Sequence, residues 1–142
     1  MRLLLLFFFS FGICFTQSDN KTYFTKKIYK NLSPIIDGDI SDEAWKEVDW
    51  QTDFIELQPE ENTKPSNQTK FKLLFDDNAI YVFVKSLINP DEIVNRLTRR
   101  DQLDGDAIYI AFDSNNDKIN SFVFGLSSAG TQRDVFASNN GD

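Results

Sequence analysis

Ile36-Asp37-Gly38-Asp39-Ile40-Ser41-Asp42-Glu43-Ala44-Trp45 joins an apolar strand end, a tight turn and a Trp-anchored helical turn within ten consecutive residues. Asp37 supplies a side-chain acceptor for its own turn, and Gly38 supplies a backbone free to take positive φ. Ser41 followed by Asp42 and Glu43 has the order of an N-cap and an acidic first turn, which predicts a short helix pressing Ala44 and Trp45 onto a core. Core packing is therefore the reading for Trp45, ahead of stacking on a ligand.

Upstream of that stretch, Arg2 is followed by the unbroken apolar run Leu3 to Phe9 and then by small or weakly polar residues. A charged start, an apolar segment of roughly 7–15 residues and a polar exit make residues 1–16 a secretory signal peptide, and the run is below the ~20 residues of a membrane-spanning helix. The expectation is export to the periplasm, the cell surface or the medium, with no membrane span in the mature chain. Cleavage between Thr16 and Gln17 is the first reading. Lipid attachment at Cys14 is the alternative, although Phe11-Gly12-Ile13 is a poor match to the small residues such processing prefers. Residues 17–30 are a polar lead-in that ends in a short first strand.

Downstream, Thr52 to Leu57 reads as a strand and the Pro-rich, polar stretch Pro59 to Asn67 as an exposed loop. Lys70 to Phe75 places Phe71, Leu73 and Phe75 on one face, and Asp76-Asp77-Asn78 turns the chain into Ile80 to Val84. This is a β-hairpin whose second arm, apolar on both faces, reads as a central strand. Asn89-Pro90-Asp91 opens a short helical or irregular segment reaching Arg99. Ala107 to Phe112 then pairs with Ser121 to Leu126, and one more strand lies around Gln132 to Ala137. Short strands without a long helix predict an all-β fold, an antiparallel β-sandwich over 31–142 of immunoglobulin or jelly-roll type.

Composition narrows the chemistry. The chain has 142 residues with 15 basic and 22 acidic side chains and no histidine. Loss of Arg2 with the leader takes the basic count to 14 and the formal balance to −8. Such a chain repels phosphate backbones, so nucleic acid is not an expected partner. Without histidine the commonest general base and transition-metal ligand are missing. The mature chain, having no cysteine, must be held by packing rather than disulfides.

Three blocks of the sequence, Ile36 to Trp45, Phe71 to Val84 and Asp106 to Asp113 with its following hairpin, resemble the family 9 carbohydrate-binding module. The nearest variant is the N-terminal domain of large exported proteins that continue as an outer-membrane β-barrel. There an Arg-Asp pair precedes the third block, as Arg100-Asp101 does here, and a Gly-x-Gln-x-Asp phrase follows it, as Gly130-Thr131-Gln132-Arg133-Asp134 does. Family members continue with a Trp-containing strand and an E-x-x-I-P segment, so the resemblance implies a sandwich incomplete at its C-terminus. It implies a non-catalytic module binding a polysaccharide or oligosaccharide, in the context of polysaccharide catabolism. The alternative is an interaction domain that packs against an outer-membrane barrel and has no sugar site. In the resemblance, the positions of one clamp tryptophan, a strand carboxylate and an arginine fall at Leu103, Tyr109 and Val123. None of those residues carries the family role.

The candidate sugar-binding residues are Trp50, Arg99, Arg100, Asp101 and Arg133. Trp50, between Asp49 and Gln51, reads either as a packing residue or as a stacking platform. The arginines, which the resemblance puts near one end of the sandwich, read either as hydrogen-bonding forks for hydroxyls and carboxylates or as salt bridges between loops. Asp113, Asn115 and Asp117 alternate so that three oxygens could converge on calcium, or simply shape a hairpin turn. No catalytic residue is expected: the carboxylate pairs lie on turns, and Ser127 and Ser128 have no histidine to activate them.

Overall fold

The computed structural model describes residues 21–138, in which the chain is all-β: two three-stranded sheets joined by loops and short 310 turns. The expected leader at 1–16 and the lipidation alternative at Cys14 lie outside the described residues. Among the described residues no helix is long and apolar enough to cross a membrane. The chain divides into two compact units, 21–51 with Lys72–Val82, and Thr52–Phe71 with 83–138.

The first sheet has the order β1-β2-β3, with β1 at Lys26–Lys27, β2 at Thr69–Phe75 and β3 at Ile80–Ser86. β1 runs parallel to β2, Lys26 opposite Leu74 and Lys27 opposite Phe75. β2 is therefore central and β3 lies at the sheet edge, contrary to the reading of Ile80 to Val84 as a central strand. Apolar residues on both faces record where side chains pack; they do not count neighbouring strands. The hairpin itself forms as expected. The turn between β2 and β3 closes with Asp76 N–H donating to Ala79 O at 2.9 Å, while Asp76 Oδ1 accepts from Asn78 N–H at 2.7 Å and Ala79 N–H at 2.8 Å. Ser33 and Tyr81 hydroxyls reach the other carboxylate oxygen, each at 3.0 Å. These donors, led by the Asn78 amide, hold the Asp76 carboxyl below its ordinary range.

The first unit is built around Leu74, which is fully buried, with Ile28, Ala44, Trp45 and Val48. Leu74 points opposite to Phe71, Leu73 and Phe75, so the deepest side chain of β2 lies on the other face from the one its alternation highlights. Ala44 and Trp45 are buried as expected, but on a 310 turn, Glu43–Glu47. Ser41 does not cap it. Its hydroxyl donates to Asp39 at 2.8 Å, and the first turn closes instead through Trp45 N–H to Asp42 O at 3.1 Å. The Asp42 carboxylate reaches back to Ile35 N–H at 2.9 Å, tying the apolar entry to the turn. At Gly38, φ is +85°, and Asp37 Oδ1 accepts from Asp39 N–H at 2.8 Å, the turn read from the sequence.

In the second unit, Thr52 to Leu57 is not the expected strand. Only Glu56 forms a bridge, with Thr63, and Phe54 is held by an edge-on contact with Phe71 at 5.8 Å. Without a ladder partner, strand-like composition yields an extended loop. The second sheet matches the reading closely: β4 at Ala107–Phe112, β5 at Ser121–Ser127 and β6 at Gln132–Ala137, in the antiparallel order β4-β5-β6. Directly paired residues share a face. One face carries Ile108, Ile110, Phe112, Phe122, Phe124, Leu126 and Phe136 with Gln132 and Asp134 on β6; the other carries Tyr109, Gly125 and Arg133 with Val123, Val135 and small residues.

A loop is fastened to one end of this sheet. Asp106 accepts from Val94 N–H at 2.8 Å and donates its own N–H to Val94 O at 3.0 Å, and Asn95 bridges Gly105. Gly105 has φ +85°, and a Cβ there would lie 2.2 Å from Val94 O, so only glycine fits.

Leu74→Ala removes the one fully buried large side chain among the described residues of the first unit. It is expected to cost about 2–5 kcal/mol, seen as a lowered urea midpoint with the slope unchanged.

Candidate functional site

The expected site residues fall in both units. Trp50 belongs to the first and is half-buried. Lys72 holds its ammonium 5.2 Å from the indole centroid and donates to Trp45 O at 2.7 Å. A tethered lysine on the ring gives Trp50 a packing partner within its own unit.

The arginine-bearing residues belong to the second unit, and the fastened loop brings them together. Thr98 N–H and Thr131 Oγ1 meet at 3.3 Å, and Thr131 donates to Thr98 O at 3.2 Å. Asp101 N–H donates to Gln132 O at 2.9 Å, and Asp134 N–H donates to Asp101 Oδ1 at 3.3 Å. Arg100 pairs with Asp134, and Arg96 grips Asp104 through both oxygens at 3.0 and 3.2 Å. Asp101 takes φ +67°, the positive value that Asp tolerates, which lets the Arg99–Gln102 turn lie along the start of β6. Asp101 and Arg100 are thus placed by this loop-to-strand lacing. Arg99 and Arg133 are exposed and have no carboxylate within ion-pair distance among the described residues.

The alternating Asp113, Asn115 and Asp117 form the β4–β5 turn. Asp113 accepts from the amides of Asp117 at 3.1 Å and Lys118 at 2.8 Å. Asp117 accepts from the amides of Ile119 at 2.9 Å and Asn120 at 2.8 Å, and from the Asn120 side chain at 2.8 Å. The Asn120 backbone and side-chain donors, followed by Ile119, pull the Asp117 carboxyl from 3.8 down to about 2. These oxygens are engaged with donors inside the turn. Among the described residues, no group of three or more Asp, Glu, His or Cys is placed to hold a metal ion.

The register of the second sheet adds a feature absent from that candidate set. Tyr109, Gly125 and Arg133 form one row across β4, β5 and β6. A Cβ on Gly125 would meet Leu103 Cδ1 at 2.7 Å and Tyr109 Cε1 at 2.8 Å, so the tyrosine ring and the leucine close over bare backbone. Tyr109 nonetheless keeps 52% of its surface exposed. A half-exposed aromatic packed against the Gly125 backbone stands in one row with a guanidinium that has no ion-pair partner among the described residues. A glycine inside an otherwise apolar strand was the signal for such close approach, but its partners become visible only through the register.

Residues 36–128 match the model of the family described as carbohydrate family 9 binding domain-like. No curated protein and no solved structure matches the chain.

The Asp117 carboxyl titrates lower in the folded turn than in an unfolded chain, so its contribution is complete above about pH 3.8 and fades as pH falls toward about 2. Following the Ile119 and Asn120 amide resonances from pH 5 to about 1 is expected to show a midpoint near the lower value, absent in Asp117→Asn.

Proposed function

Because the chain belongs to the carbohydrate family 9 binding domain-like family, we propose that it is a non-catalytic carbohydrate-binding module and that the face of the second sheet bearing Tyr109 is its binding surface. The observation that carries this reading is the Tyr109 ring, laid over Gly125 beside Leu103 and half exposed. The C–H face of a pyranose stacks on such a ring, while guanidinium and amide donors at its margin bind the hydroxyls. Leu103 and Tyr109 stand where the family resemblance places a clamp tryptophan and a carboxylate. The surface proposed here therefore relies on one tyrosine platform in place of a paired clamp.

A binding role also suits the acidic groups. The carboxylates of Asp76, Asp113 and Asp117 accept main-chain amides within turns, a task that fixes loops. The charged start and apolar run of residues 1–16 support export, and a role beside polysaccharide-degrading enzymes is the setting such a module serves.

A second reading is favoured by one observation. On the opposite face, Ile108, Phe122, Phe124, Leu126 and Phe136 are 37–57% exposed, an apolar surface bordered on β6 by Gln132 and the Arg100–Asp134 pair and suited to packing against a protein partner such as an outer-membrane barrel. Co-purification with a barrel fragment, abolished by Phe124→Asp, would favour that reading.

Affinity electrophoresis through gels containing soluble polysaccharides is expected to retard the protein. Tyr109→Ala is expected to weaken the interaction about tenfold, the equivalent of one aromatic stacking contact. Unretarded migration on every polysaccharide would remove the proposal.

A further inference from the structure

We infer that the surface bearing Tyr109 selects acidic sugars, taking the carboxylate of a uronic acid residue on Arg133. This rests on the binding face proposed above and names the ligand class it takes. Tyr109 and Arg133 flank Gly125 in one register row, two strand spacings or about 9.5 Å apart in backbone terms. No side chain rises from Gly125 between them, and the space above its backbone is taken by the Tyr109 ring and Leu103. A pyranose stacked on the exposed part of the ring lies in the same register row as Arg133, one strand beyond Gly125 and Leu103. There Arg133 offers a planar fork that matches a carboxylate in two-point hydrogen bonding.

The distribution of ion pairs singles this arginine out. Arg96 is neutralised by Asp104, and Arg100 by Asp134. Arg133 has no such partner among the described residues, nor does Arg99 in the turn that Asp101 N–H ties to Gln132 O. In a chain of formal net charge −7, Arg133, in the row of the half-exposed ring, is a cation with no ion-pair partner among the described residues. Long-range repulsion by the rest of the surface is screened beyond about 8 Å at physiological salt, whereas a direct fork contact is not. Neutral sugars gain stacking alone at this position; a uronate gains stacking and the charge-assisted pair.

The test uses a matched pair of probes, a galacturonic acid oligosaccharide and its fully methyl-esterified form, which differ only in carboxylate charge. Titration calorimetry is expected to show the acid form binding about tenfold more tightly, the scale of one hydrogen-bonded charge contact. Arg133→Gln is expected to bring the acid form to the level of the ester, and Tyr109→Ala to weaken both. Equal binding of acid and ester by the unaltered protein would overturn the inference while leaving the carbohydrate-binding reading in place. Binding of neither, with no neutral glycan bound, would overturn both. A preference that survives Arg133→Gln would also overturn it.

Discussion

Main-chain amides at the turns of this protein are satisfied by aspartate carboxylates, and the order of its loops depends on that exchange. Asp37, Asp39, Asp42, Asp76, Asp106, Asp113 and Asp117 each accept at least one backbone N–H. An all-β chain exposes many such donors where strands end, and an ionised acceptor forms a stronger bond than a neutral one. Much of the acidic excess is therefore structural. Its job is to fix turns, and it says little about partners.

That constraint determines how the candidate site is presented. Asp106 locks Val94, Gly105 admits Val94 O against its bare Cα, and the loop between them comes down on β6 through Thr98, Asp101 and Arg100. Leu103 is carried by the same loop onto Gly125. The Tyr109 ring and Leu103 thus meet over the Gly125 backbone, so the proposed binding surface is one whose ordering cost has already been met in folding. The exposed salt bridges along the loop add little stability individually, but they fix which arginines are occupied and which are not.

Much of this was legible in the sequence and some was not, for identifiable reasons. The bounds of β2, β4, β5 and β6 follow from short apolar or alternating runs punctuated by Asp/Asn turns after β2 and β4 and by Ser128-Ala129-Gly130 after β5, signals local to each strand. Asp37-Gly38 and Asp76-Asp77-Asn78 form the turns their chemistry demands. Thr52 to Leu57 shows the limit, because whether an extended segment becomes a strand depends on a partner far along the chain. The same holds for the place of β3 at the edge and for Leu74, which is buried on the face opposite to the one that alternation emphasises. Ser41 had the right chemistry for a cap, but Asp39 was a closer acceptor for its hydroxyl. Of the candidate residues, Arg100, Asp101 and Arg133 are gathered on or beside β6, while Trp50 rests against Lys72 in the other unit. The row Tyr109-Gly125-Arg133 could not be read in advance, since it needs the register of three strands at once.

β4 forms one border of its sheet, and between Ala107 and Phe112 it holds neither a charge nor a proline. Natural sheets usually protect such borders with lysine, proline or a bulge. The nearest carboxylates in sequence, Asp106 and Asp113, stand at the two ends of β4. Charge therefore guards the two ends of that rim and leaves its middle, where a foreign strand could add, to the side chains alone.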